Sequence, residues 1–157
     1  EPSMLVIAAL SVAFWADPEP GVKIQARGTW RYAAKNSPNG VVLREPMELT
    51  SLFPYVAMSR DPSFTAKEAA KELAADLKVK EIDWAKQMVI MVMPGAQPSG
   101  GYRVEVASAS IEKGVMTVKW KLHKPTGKAA DVISYPSEAI LVPRHAGKVE
   151  FDPPIKK

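Results

Sequence analysis

Apolar and polar residues alternate along several short stretches of this chain, which predicts β-strands that are buried on one face. The longest such stretch is residues 115–122, where apolar side chains recur at every second position, and residues 22–27 alternate in the same way. Turn-forming residues separate the stretches, as in the Asn-Gly pair that ends residues 36–40. Further short strands are predicted at residues 41–43, 132–135, 139–142 and 149–151, with a turn at residues 112–114.

Two stretches have helical character instead. Small and apolar residues recur at spacings of three and four over residues 61–77, which predicts a helix that packs one face on a sheet. Thr65 and Glu68 have the spacing of a capping box, in which two side chains satisfy backbone N–H groups at the start of a helix. A shorter helix of one or two turns is predicted over residues 46–53, because Pro46 suits a first helical position.

A glycine-containing loop lies between two predicted strands. The apolar run 88–93 precedes it, and residues 102–106 follow with Tyr102, Val104 and Val106 on one face. Paired glycines allow positive φ and close approach of another backbone. The loop is interpreted either as a plain hairpin turn with Tyr102 packed in the core, or as a rigid recognition loop on a β scaffold. The predicted fold is α+β, mainly β: a single β-sandwich or open-barrel-like domain with one or two helices inserted before this central hairpin.

Composition narrows the possible functions. The chain has 157 residues, a formal net charge of +4 and no cysteine, so it can form neither a disulfide nor a site with thiolate ligands. Its basic residues are scattered rather than interleaved with aromatic ones, which argues against nucleic-acid binding. Residues 1–20 form an apolar N-terminal segment, interpreted as a buried strand or short helix or as a signal-like segment. Residues 21–157 are predicted to form one β-rich domain.

Few residues suit catalysis. His123 and His145 are the two candidate bases near neutral pH, and both are flanked by basic residues in predicted loops. The chain has no nucleophile elbow, P-loop, dinucleotide fingerprint or carboxylate cluster for a metal ion. The prediction is therefore a protein that is not an enzyme, with no catalytic residues, no metal and no cofactor.

The order of landmarks in this chain resembles that of the C-terminal domain of PrcB-type protease-complex subunits. The resemblance covers roughly residues 41–154, and its most specific part is the Pro-Ser-Gly-Gly-Tyr loop between two strands. It implies an extracytoplasmic, β-rich domain named for a lipoprotein that helps to stabilise and mature a secreted protease. The chain departs from that pattern in having no cysteine for a lipid anchor and a longer helix after residue 65. The landmarks are Trp84, residues 88–92 and 95–106, Val118, Pro125, Val132, Tyr135, Pro136, Ile140, Pro143 and residues 149–151, with residues 41–44, Leu49 and Phe53 upstream.

The same loop is similar, more weakly, to the Asn-Pro-Thr-Thr-Gly loop of chagasin-like inhibitors of papain-type proteases. We therefore predict a non-catalytic protein-interaction module of the cell envelope or exterior, with a protease as partner. Two alternatives stay open: a structural subunit of an envelope assembly that uses sheet edges such as residues 149–151, and a chagasin-like inhibitor. Membrane association and homo-oligomerisation also stay open. The predicted partner-binding residues are Gln97, Pro98, Ser99, Gly100, Gly101 and Tyr102, with Trp84 and Trp120 as loop support.

Overall fold

The computed structural model of the protein describes residues 21–35, 37, 39–52 and 66–155. A 3-10 helix spans Pro46–Leu52, and an α-helix, α1, spans Ala66–Asp76. Within the described part of the chain, no helix is long and apolar enough to cross a membrane. The described strands are β1 (Ala26–Gly28), β2 (Gly40–Leu43), β3 (Gln87–Val92), β4 (Arg103–Glu112), β5 (Val115–His123), β6 (Glu138–Pro143) and β7 (Val149–Asp152).

The strands form two sheets that face each other. The first sheet has the order β1-β6-β3-β2, and its neighbouring strands are all antiparallel. The second has the order β4-β5-β7, in which β4 and β5 are antiparallel and β5 and β7 are parallel. The two sheets do not join into a closed barrel. These sheets confirm the predicted α+β, mainly β fold in its sandwich form.

Two apolar cores give the fold three layers. One core lies between the two sheets, and the other lies between the first sheet and the helices. Strand β3 serves both cores, which explains why its apolar run does not alternate with polar residues. The core between the sheets includes Met88, Ile90, Val92, Val104, Val106, Met116, Val118, Ile140 and Val142; the helix-side core includes Trp30, Leu43, Leu49, Leu73, Leu77, Val89, Met91 and Leu141.

Polar contacts fix the segment after β1 against helix α1. The Arg31 Nε–H donates to Asp76 Oδ1 at 2.6 Å, and the Arg31 backbone N–H donates to Asp76 Oδ2 at 3.2 Å. A second guanidinium nitrogen lies 3.1 Å from Glu72 Oε2. Because Asp76 ends α1, these contacts join the last turn of the helix to the chain that leaves the first sheet.

The predicted hairpin across the glycine loop is not formed. Strand β3 belongs to the first sheet and β4 to the second, so the loop carries the chain from one sheet to the other. The hairpin at residues 112–114 is present, because Lys113 and Gly114 both have positive φ, of 50° and 78°, as a tight turn between β4 and β5 requires. Hydrophobic periodicity identifies strands one at a time and does not state which of them pair, which is why the hairpin prediction was wrong.

Several predicted elements are shorter than expected or lie outside the described residues. Of the predicted strand 22–27, only residues 26 and 27 belong to a strand, β1, and Val22 makes an isolated bridge to Ala109. Residues 132–135 form no strand, although Ser134 bridges to Gln97. The helices predicted over residues 46–53 and 61–77 are confirmed over Pro46–Leu52 and Ala66–Asp76, and residues 53 and 61–65 of these predictions lie outside the described part. Residues 1–20, with the interpretations given to them, and the capping residue Thr65 lie outside the described part.

Candidate recognition face

The glycine loop, residues 97–102, is bound along its length to the connection between β5 and β6, residues 124–137. Gln97 and Ser134 exchange two backbone hydrogen bonds, of 2.8 and 3.0 Å, and the Gly100 N–H donates to the Ala130 carbonyl at 2.9 Å. The Ser134 hydroxyl donates to the Ser99 carbonyl at 2.6 Å. Four hydrogen bonds over a short stretch hold the loop against its neighbour. The loop is therefore a rigid part of the surface.

The two glycines of the loop have different structural roles. Gly101 has a φ of 81°, and a Cβ atom placed there would lie 2.8 Å from the Pro125 Cβ. Gly100 has no positive φ, and a Cβ there would meet its nearest neighbour, the Ala130 Cβ, at an ordinary 3.5 Å. Gly101 is thus required by backbone conformation and by close packing, whereas Gly100 is not.

This difference predicts unequal effects of alanine at the two positions. Gly101→Ala is expected to lower the free energy of unfolding by about 1–3 kcal/mol, since it adds left-handed strain and pushes against Pro125. Gly100→Ala is expected to stay within about 0.5 kcal/mol of the parent protein. Urea denaturation of the three proteins measures both values. Equal stabilities of the two variants would contradict the assignment of the turn to Gly101.

A pair of large apolar side chains is exposed next to the loop. Val132 is 59% exposed and Ile133 is 66% exposed. Because Gln97 and Ser134 pair in antiparallel register, Pro98 lies beside Ile133, and Pro98 is exposed too. We call Pro98, Val132 and Ile133 the apolar patch. The sequence predicts a short strand at Val132 and Ile133 and does not indicate that both side chains are exposed, so their exposure is a finding of the structure.

A cleft opens beside the other end of the loop, where Tyr102 leads into β4. It has a volume of about 220 Å³ and lies between the end of β1 and the start of β4. Tyr102 is half-buried and is one of the residues that line the cleft. The loop thus lies between two surface features, with the apolar patch on one side and the cleft on the other. The lining residues are Arg27, Gly28, Thr29, Tyr102, Arg103, Val104, Pro136, Ser137 and Glu138.

Two polar networks fix the walls of this cleft. The Ser137 hydroxyl, 6% exposed, accepts from the Trp30 N–H and donates to the Trp30 carbonyl, each at 3.0 Å. Glu138 accepts a hydrogen bond from the Val106 N–H and lies 3.4 Å from Arg27 Nη1, which in turn donates to the Val106 carbonyl at 3.1 Å. The Glu138 side chain is only 13% exposed, so the carboxylate is held in place by these partners.

The two tryptophans predicted to support the loop lie against different cores. Trp84 packs on the helix-side core, and its carbonyl accepts from Arg144 Nη1 at 2.8 Å. Trp120 packs on the core between the sheets, and its indole donates to the Pro153 carbonyl at 2.8 Å. The hydrogen bonds of the loop described above go to Ala130 and Ser134, and the support role of the tryptophans stays a prediction. No periodic signal in the sequence distinguishes residues 124–137 as the partner of the loop.

Both histidines have partners in the structure. His123 Nε2 lies 2.5 Å from Glu105 Oε2, and this hydrogen bond, together with the neighbouring positive charges, lowers the pKa of the Glu105 carboxyl below its usual range. His145 Nε2 lies 3.0 Å from the Gly114 carbonyl. Among the described residues, no three His, Asp or Glu side chains come together in a group that could hold a metal ion. Neither histidine lines the cleft.

A family model matches the part of the chain that contains these features. The matched residues run from β3 through the glycine loop, β4, β5 and the connection after it to the end of β6. No curated protein and no solved structure matches the chain. The resemblance seen in the sequence extends over roughly residues 41–154, and residues 41–87 and 144–154 lie outside the match. Residues 88–143 of this chain match the family described as PrcB C-terminal, as the landmarks in the sequence predicted.

Proposed function

We propose that this chain is a non-catalytic protein-binding module that stabilises or regulates a protease outside the cytoplasm. The observation that carries the proposal is the exposed pair Val132 and Ile133, held beside Pro98 by the hydrogen bonds of the glycine loop. Large apolar side chains on a rigid surface are typical of interaction sites, because they bury apolar area on binding without a large ordering cost. The match to the PrcB C-terminal family supports a protease as the partner.

The arrangement of the histidines supports a role without catalysis. A general base must reach the proton that it abstracts, and it usually lies in a cleft with a perturbed environment. Here His123 is paired with Glu105 on the exposed side of the second sheet, and His145 is bonded to the Gly114 carbonyl. The cleft beside Tyr102 contains neither of them.

The role of the apolar patch in binding can be tested by replacing two large apolar side chains that are equally exposed, one inside the patch and one outside it. Ile133 and Met47 are both 66% exposed, and Met47 lies on the 3-10 helix, away from the patch in the fold. Ile133→Asp is expected to weaken partner binding at least about tenfold, because it places a charge in the contact, whereas Met47→Asp should leave binding unchanged. Both variants should fold normally, since neither position is buried. Affinity capture from envelope and secreted fractions, with identification of the captured proteins by mass spectrometry, measures the difference.

The identity of the captured protein decides between the alternatives. The proposal expects a protease that the parent protein and Met47→Asp capture and Ile133→Asp does not. Purified module should then lengthen the lifetime of that protease without lowering its turnover, whereas a chagasin-like inhibitor would lower turnover. Capture of the same set of proteins by Ile133→Asp would overturn the role of the patch, and capture without a protease would overturn the choice of partner.

A further inference from the structure

An edge strand of the first sheet runs beside an edge strand of the second, and hydrogen bonds join the two along part of their length. We call the line between these two edges the seam. Strand β1 is an edge of the first sheet and β4 an edge of the second, and the contact of Arg27 with Val106 shows that these two edges meet at the seam. The Val22 N–H donates to the Ala109 carbonyl at 2.8 Å. At Val106, side chains act in place of a neighbouring strand: Arg27 donates to the carbonyl, and Glu138 accepts from the N–H. The edge of β4 is thus covered at Val106 and at Ala109.

Beyond Val106 the seam opens into the cleft, and no strand among the described residues pairs with the edge of β4 there. In an antiparallel ladder, the N–H and C=O groups of every second residue point to the same side of the strand. Those of Val106 point to the seam, so those of Val104 do as well. Among the described residues, none supplies a hydrogen bond to Val104 on this side. An unpaired strand edge that bounds a cleft can accept an added strand from another chain.

The charges at the cleft favour an anionic ligand group. The Arg27 and Arg103 side chains are 45% and 64% exposed, and Arg103 Nη2 lies 3.8 Å from the Glu105 carboxylate on the same strand. Glu138 is the acidic residue of the cleft lining, and its two oxygens already face Arg27 and the Val106 N–H. Guanidinium groups that remain open to solvent bind a carboxylate through charge-assisted hydrogen bonds. Tyr102 and Pro136 supply an apolar wall beside them.

We propose that the cleft binds the C-terminal end of an extended peptide from a partner protein. The peptide backbone pairs with the free edge of β4 at Val104, and its terminal carboxylate lies against the guanidinium groups of Arg27 and Arg103. This site is separate from the apolar patch, uses main-chain pairing rather than apolar contact, and does not depend on the proposed function. Both surfaces are built on the glycine loop, which contributes Pro98 to one and Tyr102 to the other, and on the connection after β5, which contributes Ile133 to one and Pro136 to the other.

A phage library of random peptides displayed with free C termini tests the proposal. Selected sequences are synthesised as the free acid and as the C-terminal amide, and fluorescence anisotropy measures their affinities for the full chain. The acid is expected to bind at least about tenfold more tightly than the amide, because the amide loses a charge-assisted contact. In NMR spectra, the acid should shift the backbone amide signal of Val104. A selection that enriches no sequence, or equal affinities of acid and amide, would overturn the proposal.

Matched variants test whether the peptide binds in the cleft or elsewhere on the surface. Arg103→Gln should weaken the acid severalfold, whereas Lys148→Gln should not, although Lys148 is also an exposed base that pairs with a glutamate next to an edge strand. Thr29→Trp, at an exposed position, should fill the cleft and abolish binding. Ile133→Asp should leave peptide binding unchanged. A peptide that Thr29→Trp still binds, or that Ile133→Asp loses, would place the site elsewhere and overturn the assignment.

Discussion

Gly28→Ala is expected to lower the free energy of unfolding of this protein strongly. A Cβ atom at Gly28 would lie 1.9 Å from the carbonyl oxygen of Asp76 and 2.7 Å from its carbonyl carbon. Both are backbone atoms at the end of α1, so no side-chain rotation can relieve the overlap. Either β1 must leave its place beside β6, or the helix must move away from the sheet.

The expected loss in the free energy of unfolding is more than about 3 kcal/mol, because overpacking at a fixed backbone disturbs the core beneath it. That core includes Leu73 and Leu77, which are fully buried. Gly21→Ala is the matched control, since a Cβ at Gly21 would meet its nearest atom at 3.8 Å. Urea denaturation followed by circular dichroism measures both proteins. A loss below about 0.5 kcal/mol for Gly28→Ala would show that β1 and α1 are not in such close contact.

The strands and helices could largely be predicted from the sequence because each has a periodic pattern of its own. Strand β5 alternates cleanly, since one face meets the core between the sheets and the other meets solvent. The pairing of strands has no such signal. The unbroken apolar run of β3 indicates a strand buried on both faces, but the chain around it does not reveal that β6 and β2 are its neighbours.

The sequence predicts the glycine loop of the candidate site but not the segment that packs against it, for a related reason. The glycines of the loop mark a special backbone, and Gly101 does adopt positive φ. The partner of the loop lies about thirty residues later, in a connection whose apolar pair has the sequence of a short strand. Val132 and Ile133 have the composition of a strand, yet no sheet covers them. Whether an apolar residue is covered depends on the packing of the rest of the chain, which periodicity alone does not report.

The contacts at the seam show how side chains join the two sheets of the sandwich although the sheets do not form a barrel. A barrel would satisfy the edge of β4 with a neighbouring strand, but here Arg27 and Glu138 supply the donor and the acceptor to Val106. Their side chains come from β1 and from the start of β6, both in the first sheet. Side chains can satisfy an edge at single positions only, so the edge can be covered at Val106 and still be open at Val104.

Glu138→Ala is accordingly expected to cost about 2–4 kcal/mol in the free energy of unfolding. It leaves the Val106 N–H without its acceptor and removes a largely buried carboxylate that pairs with the partly exposed Arg27. Glu138→Gln retains an acceptor oxygen, so it should lose about half as much. Chemical denaturation gives the free energies, and hydrogen exchange at the Val106 amide reports the local bond directly.

Glu150→Ala provides the control for the loss of a glutamate. Glu150 pairs with Lys148 at 2.7 Å on the edge strand β7, with side chains 51% and 70% exposed, so its removal should cost less than about 1 kcal/mol. If Glu138→Ala cost no more than Glu150→Ala, and Val106 kept its protection from exchange, the carboxylate would not be what joins the sheets. The larger loss expected at Glu138 has a physical cause. Water can replace either partner of an exposed ion pair, whereas in the described part of the chain the Val106 N–H donates to Glu138 alone.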